Sequence, residues 1–271
     1  MPTAFNPALV TVFLPVGGRA TRALEVTADV IPKHLIELGN GLPVLEVALR
    51  QLQEVGFRRF VFCTGHHQEQ ITNFVHKETW RSFDSWYELS VESQPLGPEG
   101  AILAAIDQLG IAGQAMFVAG DVMVPWAGLV SMNERHAANG AVVTAGLTSF
   151  ITPRTTDVGK FIVDPATYRV KRLYGRTEEA SAREDELALT SAGLSVVTIK
   201  SYVGLCRDYV SSRTEEETRP FGLRDDVMPW ALKNERPGLY GHDLQGEVLD
   251  LGTPSNIHYG RENWRDYVLG Q

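Results

Sequence analysis

Residues 9–22 read Leu-Val-Thr-Val-Phe-Leu-Pro-Val-Gly-Gly-Arg-Ala-Thr-Arg, and the reading of this stretch sets the fold. Leu9 to Val16 is a run of apolar and β-branched side chains, bounded by Asn6-Pro7 before it and Gly17-Gly18 after it, which predicts a buried first strand. The polar residues that follow therefore sit at a strand's carboxyl end. In an open α/β sheet ligands bind at that edge, where loops converge and backbone N–H groups are left unpaired. Gly17 and Gly18 lack Cβ, so the backbone can approach a bulky anion there. Arg22, and Lys33 in Ile31-Pro32-Lys33, supply cations for charge-assisted hydrogen bonds to phosphate oxygens. A glycine turn followed by solvated basic residues is the other reading of the same letters. The stretch matches neither G-x-x-x-x-G-K-[ST] nor G-x-G-x-x-G, so neither a P-loop hydrolase nor a standard dinucleotide fold is indicated.

Working outward, the first half of the chain alternates. Apolar spacing predicts a helix over Pro43 to Val55, a strand over Arg59 to Thr64, a helix over Gln68 to Val75 and a strand over Tyr87 to Glu92. A helix over Pro98 to Leu109, with proline in its first turn, precedes a strand over Gln114 to Ala119 and a helix over Leu129 to Asn139 closed by Gly140. Such alternation argues for a largely parallel sheet covered on both faces. The second half is less regular, with strands expected over Ala141 to Thr148, Lys160 to Val163, Val170 to Tyr174 and Leu194 to Ile199. The acidic runs at Glu184-Asp185-Glu186 and Glu215-Glu216-Glu217 read as solvated faces.

Composition narrows the class. With 271 residues, 44% hydrophobic and 21% charged, the sequence is that of a soluble globular protein. A net charge of −8 argues against a nucleic-acid partner, without excluding a local polyphosphate site. Two cysteines, Cys63 and Cys206, read as buried reduced thiols, which fits a cytoplasmic location. No stretch has the make-up of a signal peptide or a membrane span. Seven histidines include the pair His66-His67, but no third ligand at a zinc-like spacing accompanies it.

Two carboxylates stand out. Gly120-Asp121 closes a strongly apolar strand, and Val248-Leu249-Asp250-Leu251-Gly252-Thr253-Pro254 repeats the pattern of apolar run, aspartate and tight turn. A carboxylate at such a place costs desolvation unless a cation answers it, although an aspartate capping the next segment is equally compatible with the letters of Asp121. Two carboxylates from distant strands can share one Mg²⁺, a hard ion taken through oxygen.

Taken together these segments resemble the sugar-1-phosphate nucleotidyltransferases, whose opening is of the G-G-x-G-T-R…P-K type. Pro15-Val16 and Ile31-Pro32-Lys33 lean toward the UTP:glucose-1-phosphate uridylyltransferase version. Gln94-Pro95-Leu96-Gly97-Pro98-Glu99-Gly100 resembles that family's Q-x-x-L-G-T-A-G element, and Ser191-Ala192-Gly193-Leu194 resembles its N-A-G-[IL] element. The resemblance implies a Rossmann-like three-layer α/β/α fold with a mixed, mostly parallel central sheet. It implies one nucleotidyltransferase domain over 1–271, with a nucleotide-binding half about 8–140 and a sugar-phosphate-binding half about 141–271. Arg22 and Lys33 become the catalytic cations, Asp121 and Asp250 the Mg²⁺ ligands. Val16, Gly17, Gly18, Thr21, Gln94, Gly97 and Gly100 become the nucleotide site, the amide of Gln94 pairing with a base edge while Gly97 and Gly100 let a flat base lie against the backbone. Gly159, Arg176, Ala192, Gly193 and Arg219 become the sugar-phosphate site, although a surface arginine reads as well at 219.

Three departures are visible. Ala20 stands in place of the family's last loop glycine, Pro98 in place of its threonine, and its E-K-P falls on Gly175-Arg176-Thr177. The expected reaction joins a nucleoside triphosphate, UTP or dTTP before GTP or CTP, to a sugar-1-phosphate. A GT-A-type glycosyltransferase is the rival, and Gly120-Asp121-Val122-Met123 lacks the Asp-x-Asp it usually needs. A catalytically weak nucleotide-binding relative is the second, motivated by Ala20 and the lost E-K-P. The aromatic segment Tyr259, Trp264, Tyr267 packs either on the core or on a partner subunit of a homo-oligomer.

Overall fold

The computed structural model describes residues 5–39, 41–77, 85–150, 159–175, 178–214 and 219–267. The opening apolar run condenses to strand β1 (Thr11–Pro15). Residues 7–9 wind instead into one 3-10 turn, because Pro7 favours a helical start and Asn6 caps it by accepting from Ala8 N at 3.1 Å. Helices α1 (Leu24–Thr27) and α2 (Val44–Val55), strand β2 (Arg59–Thr64), helix α3 (Gln68–His76), strand β3 (Trp86–Val91), helix α4 (Gly97–Leu109) and strand β4 (Gln114–Val118) follow. A two-residue strand β5 (Val122–Met123) precedes helix α5 (Leu129–Ala138). Gly140 takes the left-handed conformation just past that helix, at φ +56.

The second half contributes β6 (Val143–Thr148), β7 (Lys160–Val163), β8 (Val170–Tyr174), β9 (Leu187–Thr198), α6 (Ile199–Ser211), α7 (Met228–Lys233), β10 (Leu239–Asp243), β11 (Leu249–Asp250) and α8 (Pro254–Asn263). The main sheet runs β10-β6-β9-β4-β1-β2-β3, with β7 added on β9 and β8 on β7. Neighbours from β4 to β3 are parallel, as are β6 and β10. Strand β9 runs antiparallel to β4, β6 and β7.

Period-two alternation sorts the strand residues into two cores. Val12, Leu14, Phe60, Phe62, Met116 and Val118 face α2, α3 and α5, meeting Leu45, Leu49, Ile71, Phe74 and Met132. Phe13, Val61, Cys63, Ala115 and Phe117 face α4, α6 and α7, meeting Ile102, Ala105, Tyr202, Met228 and Ala231. The result is the mixed, mostly parallel three-layer α/β/α architecture expected from the sequence. A smaller third cluster gathers Ile36, Leu38, Met123, Leu249 and Leu251 under Ile257 and Trp264. Trp264 therefore packs on its own chain. Both cysteines are buried and unpaired, and burial pushes each thiol up to about 12. Among the described residues no helix is long and apolar enough to cross a membrane.

Candidate active site at the carboxyl edge of the sheet

The glycine loop leaves β1 beside the end of β2. Val16 is buried in the core and its N–H donates to Cys63 O at 2.9 Å. A Cβ on Gly17 would lie 2.5 Å from Gly65 N and 2.7 Å from Thr64 C, so no larger residue fits; the two loops are locked by His66 N donating to Gly17 O at 3.0 Å. A Cβ on Gly18, by contrast, would meet nothing within 4 Å. Ala20 has φ −65, so this position does not need the left-handed φ for which glycine would be required. Thr21 is exposed at the head of a 3-10 turn that ends with Ala23 and carries Arg22.

Asp121 and Asp250 meet through the short ladder of β5 with β11, in which Val122 pairs with Asp250 and Met123 with Leu249. Leu251 N donates to Asp121 O at 2.9 Å and extends the ladder by one bond. Each carboxylate has a cation. Lys33 Nζ donates to Asp121 Oδ2 at 2.5 Å, and an Arg22 guanidinium nitrogen lies 3.5 Å from Asp250 Oδ2. Gly252 N also donates to Asp250 Oδ1 at 2.7 Å. Burial pushes both carboxyls up. At Asp121 the Lys33 ammonium beside it overrides burial and holds the acid below the usual carboxylate range. At Asp250 burial, reinforced by the Asp121 charge, prevails over Arg22 and raises it. Oxygen donors under mutual repulsion are the set a hard dication suits. The neighbouring His34 is fully enclosed, and burial followed by the Lys33 charge pushes it down to about 3, so it is neutral.

Two cavities open on either side of this group. One of about 340 Å³ is lined by Arg22, Lys33, Asp121 and Asp250 together with Gly159, Ala192, Gly193 and Arg224. The other, of about 560 Å³, is lined by Gly17, Gly18, Arg19, Gln94, Gly97 and Pro98. Lys33, Pro15 and Pro98 belong to both walls.

Several expected site residues take a different place from the one anticipated. Gly97 lines the larger cavity, but its φ of +79 and a Cβ that would fall 2.8 Å from Phe221 O show that loop packing dictates the glycine. Gly100 lines neither cavity, since Leu96 Cβ fills the space beside it at 2.8 Å; its small size serves the helix start and not a base. Arg219 lies outside both linings, two-thirds exposed, and binds Asp226 Oδ1 at 2.5 Å. Arg176 falls outside the described residues. The cation from the second half that lines the smaller cavity, besides Arg22 and Lys33, is Arg224, on a single π-helical turn over Leu223–Val227. The Arg224 guanidinium lies directly against Gly159, where a Cβ would fall 1.3 Å from it. Glu99 supports this turn by accepting from Leu223 N, and its burial pushes the carboxyl up to about 8. Sequence reasoning missed both; the glutamate in Gly97-Pro98-Glu99-Gly100, an acid among small residues, was the available signal.

A glycine loop after the first strand, cations set on paired aspartates and twin cavities thus lie together along one edge of an α/β sheet. The chain belongs to the MobA-like NTP transferase domain family, which matches residues 13–184. The resemblance to sugar-1-phosphate nucleotidyltransferases read from the sequence is thereby borne out. A mannose-1-phosphate guanyltransferase of Schizosaccharomyces pombe is 25% identical over 258 residues, 94% of this chain and 61% of that protein. The chain thus spans about six-tenths of the length of the curated relatives it matches. In fold it is similar to HddC from Yersinia pseudotuberculosis, solved with GMP-PN, at a TM-score of 0.69 and 18% identity, covering 94% of this chain and 99% of that one. It is also similar to a Bacillus anthracis protein assigned as a glucose-1-phosphate thymidylyltransferase, solved with sucrose, at 0.73 and 17%, covering 97% of each.

Proposed function

We propose that the chain transfers a nucleotidyl group from a nucleoside triphosphate to a sugar-1-phosphate, giving a nucleotide-sugar and pyrophosphate. The observation that carries this reading is the Asp121–Asp250 pair on the wall of the smaller cavity, each carboxylate answered by one cation, with Lys33 reaching the larger cavity as well. An oxygen of the sugar phosphate attacks the α-phosphorus in line; the new P–O bond forms as the α–β bridge breaks, and pyrophosphate leaves with that electron pair. The protein's task is positioning and charge neutralisation. Arg22 neutralises the leaving pyrophosphate. Lys33, on the wall common to both cavities, bridges the attacking and α-phosphates. Mg²⁺, when held by Asp121 and Asp250, supplies further neutralisation at the α-phosphate.

The larger cavity, with Gly17, Gly18 and Gln94, takes the triphosphate and base. The smaller takes the sugar phosphate, with Gly159, Ala192 and Gly193 against the sugar and Arg224 as its phosphate cation, the role expected of Arg219 or Arg176. One domain accommodates both, the nucleotide half over about 8–140 and the sugar half over about 141–271. The guanyltransferase relatives favour GTP and mannose-1-phosphate; the preference for UTP or dTTP rests on Gln94 and the Pro15-Val16 opening. Pyrophosphate release measured for GTP, UTP, dTTP and CTP against mannose- and glucose-1-phosphate tests the reading. GTP with mannose-1-phosphate is expected to be fastest, and silence from every pair would defeat the proposal.

A further inference from the structure

The proposed reaction uses none of the histidines, and in sequence His66-His67 lacks a third ligand. The fold supplies one. Asp29 lies on the segment between α1 and Lys33, and that segment returns across the turn that leads into α3. His66 Nε2 is 2.8 Å from Asp29 Oδ1, His67 Nε2 is 3.6 Å from the same oxygen, and the three ligand atoms all lie within 4.8 Å of one another. The imidazole rings are 3.9 Å apart and tilted by 52°, so two nitrogens and a carboxylate oxygen converge on one small volume. A tetrahedral ion with bonds of about 2.0–2.2 Å sets its ligands roughly 3.3–3.6 Å apart, within the span of the two distances seen.

A plain hydrogen-bonded trio does not account for His67. Its Nε2 is shut off from water and has no hydrogen-bond partner. Asp29 Oδ1 sits at bonding distance from His66 and beyond it from His67. Buried polar atoms are ordinarily satisfied, and an isolated unsatisfied one calls for an explanation such as an ion. We propose that Asp29, His66 and His67 form a binding site for an imidazole-favouring transition-metal dication, of which Zn²⁺ is the test ion, with a further position left to water.

This site differs in chemistry from the Asp121–Asp250 pair, being imidazole-rich, and does not depend on the nucleotidyl-transfer reading. Its place gives it a consequence. His66 N holds Gly17 O, and Gln70 Nε2 donates to Val30 O at 2.8 Å, so an ion here staples the segment leading to Lys33 onto the start of α3 and the glycine loop. Arg19, whose charge also reaches Asp29, lies on the cavity side.

The test is titration of the chelator-stripped full chain with Zn²⁺ by calorimetry, and with Co²⁺ by its visible spectrum. One ion per chain is expected, with a Co²⁺ spectrum of imidazole ligation. His67→Ala and Asp29→Asn should each weaken binding by more than the about 10–100-fold that loss of a mere outer-shell partner produces. Asp250→Asn should leave it intact. Absence of binding by the wild-type chain overturns the proposal, and that arm needs no variant to fold. Binding that survives both His67→Ala and Asp29→Asn, or that is lost in Asp250→Asn, overturns it as well.

Discussion

The two cavities share three wall residues and are otherwise drawn from different kinds of sequence. The larger is walled mostly by strand-end loops of the parallel half, the glycine loop after β1, the turn after β2 and the segment between β3 and α4, with Lys33, His34 and Pro220 reaching in. The smaller combines β4's end with Gly159, the middle of β9, the π-helical turn and the approach to α8, pieces scattered from Arg22 to Asp250. The first is a set of neighbouring loops on a regular scaffold. The second exists only once the antiparallel strand β9 has folded back against β4, and its charges differ accordingly: Asp121, Asp225 and Asp250 stand there against Arg22, Lys33 and Arg224. A region built from near neighbours can be read one motif at a time, whereas one built by long returns must be seen assembled.

The widest effect is expected at the aspartate pair of the smaller cavity, beside the shared Lys33. Asp250→Asn keeps the acceptor for Gly252 N but removes the charge, and pyrophosphate release should fall by about 10²–10³-fold with the thermal midpoint little changed. Near-normal turnover would show that the aspartate pair on the wall of the smaller cavity is not the reacting centre. A smaller pair of effects separates the two sides. Arg224→Ala should raise KM for the sugar phosphate by about 10–100-fold, the scale of a lost charge-assisted hydrogen bond, leaving KM for the triphosphate alone; Gln94→Ala should do the reverse. If both variants shift the same KM, the division of labour between cavities is wrong.

The smallest effect concerns Glu99. Burial raises its folded-state pKa from 4.5 to about 8, so the folded chain holds a proton that the unfolded chain releases. Its stability contribution is complete below about 4.5 and is lost as pH rises through about 8, with a slope of at most about 1.4 kcal/mol per pH unit. Glu99→Gln should flatten stability across that window in chemical denaturation. An unchanged pH profile would mean that the acid under the π-helical turn is solvated.

What the sequence made legible follows the same division. Strands β2, β7 and β8 run over the residues that their apolar alternation predicts, and α2, α3 and α4 lie within one residue of expectation. Strand β9 begins at Leu187, seven residues before its predicted start, because Ala188, Thr190 and Ser191 have no apolar rhythm of their own and owe their strand to pairing with β6 and β7. Strand β10, with its Gly241-His242-Asp243 end, went unread for the same reason: β6 supplies the pairing. The aspartates were legible as candidates, but their meeting depends on a two-residue ladder that no local pattern encodes. Arg224 was hidden among adjacent charges, of which only packing against Gly159 singles it out.

Strand β9 has one more implication, for how such a scaffold diversifies. Ala119 N donates to Gly193 O at 2.9 Å, and a Cβ on Gly193, at φ +69, would strike Val122. The floor of the smaller cavity, under the proposed acceptor, is therefore soldered to the strand end that presents Asp121, and neither can be reshaped without displacing the other. Retooling for a new acceptor is confined to the rim, the turn bearing Arg224, whose side chain can be exchanged while the hearth beneath it stays fixed.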